Sequence, residues 1–242
     1  MTVRRKKRVD REKVDEIRYL LYSITNSIYN TFRVLRKAKR KMPSEVRRGL
    51  AKVGITGLKF DLWEMSLYEL LDKIDSAYYD PKLYTDVDYI HTLAEEAIDV
   101  VNKISQDMQK AVRNALNKLL RMSDLVGEIW LEISKRPDRW KLAGYMSDVD
   151  TSFVDLKKLA EEVTRDISTL EKLRSPVRTV TSSLGVMLEY LTHEDTPLRD
   201  KLTKLYEVAV VTEDVIFYID YMYYEAIDDL KARLAGLLQY VK

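Results

Sequence analysis

From Asp86 to Arg136 the chain carries no proline and a single glycine, Gly127. Through that stretch Val87, Ile90, Ala94, Ala97, Val101, Ile104, Met108, Ala111, Ala115, Leu119, Met122, Val126, Ile129 and Ile133 recur at steps of three and four. That spacing keeps one stripe of a helix apolar, and the period-two pattern of a strand does not reproduce it. The stretch therefore predicts helix of unusual length. A single rod over it would span about 76 Å at about 1.5 Å per residue. A compact chain of this size is only about 45 Å across. Either the molecule is elongated or the helix breaks. Ser123-Asp124 is the best breaking point, since both residues cap helix starts well and Gly127 weakens the next turn.

The remainder points the same way. Seven glycines and five prolines fall well below the average share, and a sheet-rich fold needs more turn residues. Pro43, Pro81, Pro137, Pro176 and Pro197 lie between periodic segments. Ser175-Pro176 and Thr196-Pro197 read as a cap followed by a first-turn proline. Helices are predicted over 10–41, 44–53, 59–79, 86–136, 150–174, 176–192 and 197–241. A turn bracketed by Gly54 and Gly57 and a loop or short helical turn over 137–149 separate some of them. The last segment can divide near Thr212-Glu213, and its β-branched Val208, Val210, Val211 and Val215 admit a short strand there. The expected fold is all-α, an elongated multi-helix bundle with long heptad-patterned helices. Residues 1–13 read as a basic arm and 14–242 as one helical domain, with a sub-boundary allowed near 137–150.

The first helix carries the strongest functional signal. Val14, Ile17, Leu21, Ile24, Ile28, Thr31, Leu35 and Ala38 form a heptad seam, widened by Leu20, Phe32 and Val34. A wide stripe favours a bundle over a two-stranded coiled coil. From Tyr19 to Phe32 no residue is charged. A basic cluster lies on each side: Arg4, Arg5, Lys6, Lys7, Arg8, Arg11 and Lys13 before it, and Arg33, Arg36, Lys37, Lys39, Arg40 and Lys41 after it, followed by Arg47 and Arg48. Residues 1–52 hold 17 Lys and Arg against 5 Asp and Glu, a net of +12. The whole chain totals +2, so the remaining 190 residues carry −10. A chain polarised in this way attracts polyanions at one end and can stack head to tail. The helix dipole accounts for two or three cations at a helix C-terminus, not for a cluster of this size.

Several chemistries find no support. The chain has no cysteine, which removes disulfides, thiolate zinc sites and thiol nucleophiles. Its two histidines, His91 and His193, lack the Glu-x-x-His spacing of helix-bundle di-iron sites. No phosphate-binding glycine loop is present, and Gly54 to Lys59 has the wrong spacing. Glu95-Glu96 and Asp228-Asp229 are sequence neighbours on helices, which point apart and make poor acid–base pairs. No cofactor, metal or small-molecule substrate is expected. The longest uncharged run is too short to span a bilayer, and no apolar core with a small-residue cleavage site opens the chain. Acidic residues accompany Phe217, Tyr218, Tyr221, Tyr223 and Tyr224, so this stretch reads as core or protein interface, not as a base-stacking platform.

The expected function is accordingly non-enzymatic. It is a structural or scaffolding protein, intracellular and cytoplasmic, that assembles with copies of itself or with partners. It contacts nucleic acid through Arg4, Arg5, Lys6, Lys7, Arg8, Arg11, Arg33, Arg36, Lys37, Arg40, Lys41, Arg47 and Arg48. Tyr22, Ile24, Ile28, Tyr218, Tyr221 and Tyr224 are the expected protein contacts. The 33% charged residues and the scarcity of Asn and Gln suit a thermophilic setting, and a virion or nucleoprotein component there fits the profile. The competing readings are an accessory protein-binding subunit of a nucleic-acid-processing complex and an enzyme whose site is not legible in the sequence.

Overall fold

The seam on the first helix forms as the spacing predicts. In the computed structural model, which describes residues 11–42 and 58–242, Arg11–Lys41 is one unbroken helix, α1. Ile17, Leu21, Ile24, Ile28, Thr31, Leu35 and Ala38 are buried on it, joined by Phe32 and Val34. Thr31 sits in this apolar stripe without leaving its hydroxyl stranded, because it donates back to the Ser27 carbonyl at 2.8 Å. The regular structure of the described residues is all helical and contains no strand. The predicted helix over 44–53 and the Gly54–Gly57 turn lie outside the described residues.

The helices that follow are α2 (Phe60–Tyr79), a single turn Pro81–Tyr84, α3 (Val87–Leu120), α4 (Ser123–Ser134), α5 (Trp140–Arg165), α6 (Glu171–Tyr190), α7 (Pro197–Met222) and α8 (Asp228–Val241). They gather into two compact units, whose division falls at the end of α1 after Arg40, within α3 after Ser105 and within α7 after Tyr221, so that Lys41 belongs to the second unit. The chain is thus an all-α multi-helix bundle.

The first unit holds α1, α2, the start of α3 and α8. α1 lies between α2 and α8. On one side Thr25 donates to Asp75 of α2 at 2.9 Å. On the other Ser27 donates to Asp229 of α8 at 2.7 Å. Trp63, Leu67 and Ile74 of α2, Ile90, Ala94, Ala97 and Val101 of α3, and Leu230, Leu234 and Leu237 of α8 complete its core.

The second unit holds the rest of α3 with α4, α5, α6 and α7. α5 and α6 run antiparallel, because Tyr190 at the end of α6 bonds to Asp138 just before α5 while Lys172 at the start of α6 pairs with Glu162 near its end. The links at the far end are pinned by Arg136. Its guanidinium takes Asp138 at 2.9 and 3.2 Å and Glu194 at 2.7 and 2.9 Å. Those bonds hold both carboxyls below the usual carboxylate range. This planar, two-carboxylate geometry is one that only arginine provides.

Some boundaries differ from the periodicity. The long stretch breaks where expected, at the turn of Arg121 and Met122 before Ser123. The loop expected over 137–149 is shorter, since α5 begins at Trp140 and runs unbroken through Gly144 to Arg165. The next boundary is then Asp166, not Ser175-Pro176. Asp166 takes an extended backbone, and its carboxylate accepts from the Ser168 amide to start a 3₁₀ turn over Ile167–Thr169. Pro176 lies inside α6. It is two residues past the four leading amides that have no helical partner anyway, so it costs one bond. Asp80 before Pro81 and Thr196 before Pro197 do act as caps. The valines of α7 are helical, with Val208, Val211 and Val215 in the core, and burial overrides their strand preference. The last segment is interrupted at Tyr223–Ile227, a single π turn, and not at Thr212.

α7 also carries a half-buried acid. Burial, aided by neighbouring Glu213, pushes Asp214 up to about 6, against about 3.9 in an unfolded chain. A raised acid favours the fold below its unfolded value and loses that contribution as pH rises through 6. Asp214→Asn is therefore expected to stabilise the protein above pH 6 by about 1–2 kcal/mol after solvent screening. The gain fades below pH 4. Urea midpoints of both proteins from pH 4 to 8 check it, and a pH-independent difference contradicts it.

Candidate functional site

A straight helix that buries one face presents the opposite one. On α1 the residues opposite the seam are Tyr19, Tyr22, Asn26, Tyr29, Arg33, Arg36, Lys37 and Arg40, again at steps of three and four, and all are exposed. Tyr19 is 64% exposed, and Tyr22 and Tyr29 are each 53% exposed. Phenols are rarely left this open in a row, since each offers a large apolar body. The ridge has two halves. Its first holds three tyrosines and an asparagine without a charge, and its second is cationic. By helix geometry Tyr19 to Tyr29 covers about 15 Å and Arg33 to Arg40 about 10 Å.

The cationic half is partly held in place. Arg36 donates from Nε to Glu64 of α2 at 3.1 Å and also bonds the Tyr68 hydroxyl. Its guanidinium lies 5.7 Å from the Phe32 ring centre and 5.9 Å from that of Tyr68, and these rings stack at 4.3 Å. The Glu64 bond pushes Arg36 further into its charged form. Lys39 pairs with Asp61. Arg33 bonds the Asn30 side chain, at 2.7 Å, and among the described residues it meets no carboxylate. Arg40 meets no carboxylate among the described residues.

Beside the uncharged half runs an open groove of about 350 Å³. α1 lines it with Tyr19, Tyr22, Ser23, Asn26, Ser27 and Asn30, and α8 with Asp229 and Arg233. Its two charges satisfy each other. Arg233 Nε reaches both Asp229 oxygens, at 3.0 and 2.8 Å, and also bonds Ser23 through its other nitrogen. The Arg233 and Ser27 bonds hold the Asp229 carboxyl below its ordinary value. What faces the opening is then phenol, amide and hydroxyl. Asn30 donates at 3.0 Å to the Glu225 carbonyl in the π turn, which fixes one end of the groove. π turns recur at functional sites.

The residues singled out in the sequence separate clearly. Arg11, Arg33, Arg36, Lys37, Arg40 and Lys41 are on α1 and exposed, and all but Lys41 and Arg11 belong to the ridge just described. Arg4, Arg5, Lys6, Lys7, Arg8, Arg47 and Arg48 lie outside the described residues. Tyr22 is on the ridge. Ile24 and Ile28 are not contact residues in this fold: both are 0% exposed, enclosed by the first unit's own helices. The aromatic stretch near the end of α7 does not form one patch. Tyr218 and Tyr221 are half-buried in the second unit, where Tyr218 donates to the Lys41 carbonyl at 3.0 Å. Tyr224 is in the first unit, exposed and set edge-on to the buried Tyr223. Tyr19 and Tyr29 share this exposed face but lie outside the contacts expected from the sequence, which follow the buried seam. Their signal was present, since the same three-and-four spacing run from Tyr19 to Arg40 marks the opposite face.

Elsewhere, His91 lies 3.6 Å from Glu95 and His193 is exposed between α6 and α7. Among the described residues no group of three or more His, Asp or Glu side chains is placed to hold a metal ion. No described helix is long and apolar enough to cross a membrane. Compared with known proteins, the chain matches no family model, no curated protein and no solved structure.

Proposed function

We propose that this chain is a non-enzymatic structural protein that holds nucleic acid along the exposed ridge of α1. One observation carries the reading: Arg33, Lys37 and Arg40 stand exposed on a single face, with no carboxylate bonded to Arg33 or Arg40 among the described residues. Lys and Arg in such a row contact phosphates without choosing a sequence. The flanking basic residues 4–13 and 47–48 extend the same charge in sequence. The acidic surplus after residue 52 keeps the polyanion to this end. It also suits head-to-tail association of copies, which light scattering reads directly.

The test is affinity against salt, using a fluorescent 20-nucleotide strand and the full chain. Binding is expected to weaken linearly in the logarithm of salt concentration. Reversing three exposed charges together, Arg33→Glu, Lys37→Glu and Arg40→Glu, is expected to flatten that slope by about 2–3 and to weaken binding more than tenfold at low salt. Thermal stability is expected to stay close to that of the parent, because the positions are on the surface. No binding at low salt, or a slope that the reversal leaves alone, overturns the reading. An accessory protein-binding subunit is the other reading, favoured by the same ridge, because Tyr and Arg are enriched in protein interfaces. It predicts capture of a protein partner with no salt-dependent nucleic-acid binding.

A further inference from the structure

We infer that the ridge of α1 is built for single-stranded nucleic acid, with bases stacked on Tyr19, Tyr22 and Tyr29 and the phosphates beyond them led onto Arg33, Lys37 and Arg40. This rests on the nucleic-acid reading above and specifies the form of nucleic acid.

The division of the ridge decides between strand and duplex. A duplex keeps its bases stacked on one another and shows a binding surface mainly phosphates. Laid along α1, it would meet about 15 Å of phenol and amide between Tyr19 and Tyr29, with no cation on the ridge there. Asp15, also exposed, lies on the same face one turn before Tyr19. That half of the ridge would repel or ignore a duplex backbone. A single strand differs because its bases can splay onto aromatic faces while its phosphates turn to solvent. Every base has a π face, so stacking on tyrosine is sequence-tolerant.

The local surroundings support such stacking. Tyr22 is propped by Tyr78 of α2, ring centres 6.0 Å apart, and Tyr78 in turn is backed by Arg18 at 5.3 Å. The ring is thus positioned and still half open. Asn26 offers an amide beside the tyrosines in the groove, where it can pair with base edges, while Ser23 is already bonded by Arg233, and Asn30 by Arg33 and the Glu225 carbonyl. Asp229 is neutralised in place by Arg233. Beyond Tyr29 the face becomes cationic within one turn, which gives the strand a polarity along the helix.

The test compares a 20-nucleotide oligothymidylate with a 20-base-pair duplex, over one matched series of salt concentrations, by fluorescence anisotropy on the full chain. The parent protein is expected to prefer the single strand. Tyr19→Ala, Tyr22→Ala and Tyr29→Ala together are expected to weaken single-strand binding by about a hundredfold or more, while duplex binding and the salt slope stay as they were. Changing the same three residues to Phe, which keeps the ring and drops the hydroxyl, is expected to restore most of the single-strand affinity. Because Tyr22 also packs on Tyr78, the pair Tyr19→Ala and Tyr29→Ala serves as the variant that leaves this contact intact, with about a tenfold or greater loss expected. Equal loss for strand and duplex, or no loss for either, overturns the inference while a steep salt slope leaves the nucleic-acid reading standing. Loss of self-association with nucleic-acid binding intact also overturns it and makes the ridge a protein interface. Absence of binding to both forms at low salt removes the nucleic-acid reading itself.

Discussion

Placing aspartate at both Ile24 and Ile28 is expected to unfold the first unit. Both side chains are wholly buried on α1. Each substitution forfeits about 2–5 kcal/mol of packing and encloses a carboxylate with no partner, at several kcal/mol more. Together these losses match or exceed the 5–15 kcal/mol by which a typical domain is stable. Far-UV circular dichroism is expected to lose much of its helical signal at 25 °C. The control is Asn26→Asp, between them in sequence but on the exposed ridge, where the change is expected to cost no more than about 0.5 kcal/mol. If the double variant keeps the parent's unfolding midpoint, α1 does not face the core as described.

The second large effect belongs to the other unit. Asp220 on α7 is 0% exposed, and its ion pair is with Arg174 in the first turn of α6. Among the described residues no other group bonds to that carboxylate. Arg174→Ala removes the counter-charge and leaves a buried anion behind, a change that costs about 3–5 kcal/mol when a pair is fully enclosed. Because Arg174 itself is half exposed, the lower end, about 3 kcal/mol, is expected. Adding Asp220→Asn to Arg174→Ala is expected to recover part of that loss, since an amide is far cheaper to bury than a carboxylate. Urea unfolding at pH 7 measures both, with the coupling taken from the double-mutant cycle. A single variant within about 0.5 kcal/mol of the parent contradicts the pairing.

Neither buried group was equally visible in the sequence. Ile24 and Ile28 belong to a strict seam, and a seam states which face is inside. What it cannot state is whether the neighbours that cover it come from the same chain, which is why a contact role was expected for two residues that serve the core. Asp220 sits among Tyr218, Tyr221 and Tyr223, a stretch that reads as core or protein interface, and nothing local marks this acid as the buried one. Its burial depends on Arg174, 46 residues earlier in the sequence, and no local pattern relates them. Proline misled at Pro176 because its cost depends on distance from the helix start, and α6 starts at Glu171, just after the 3₁₀ turn that Asp166 caps. The ridge was legible in principle. Spacing gave it away from Tyr19 to Arg40, but only exposure separates an open row of tyrosines from a second core stripe.

The π turn at Tyr223–Ile227 has a consequence for how this chain tolerates change in length. Its wide geometry is recorded in the bond from the Asp228 amide to the Tyr223 carbonyl, five residues back instead of four. Each residue of an α-helix advances the following side chains by about 100°. Adding one residue to this turn swings Leu230, Leu234, Leu237 and Val241 of α8 off the core by that angle and carries Asp229 and Arg233 out of the groove with them, whereas deleting one lets an ordinary four-residue α turn close in its place and leaves α8 facing the core. Substitutions at the exposed Tyr224 and Glu225 leave the angle alone. The spelling of this turn can therefore drift, and it can lose one residue, but it cannot gain one without turning α8 away from the core.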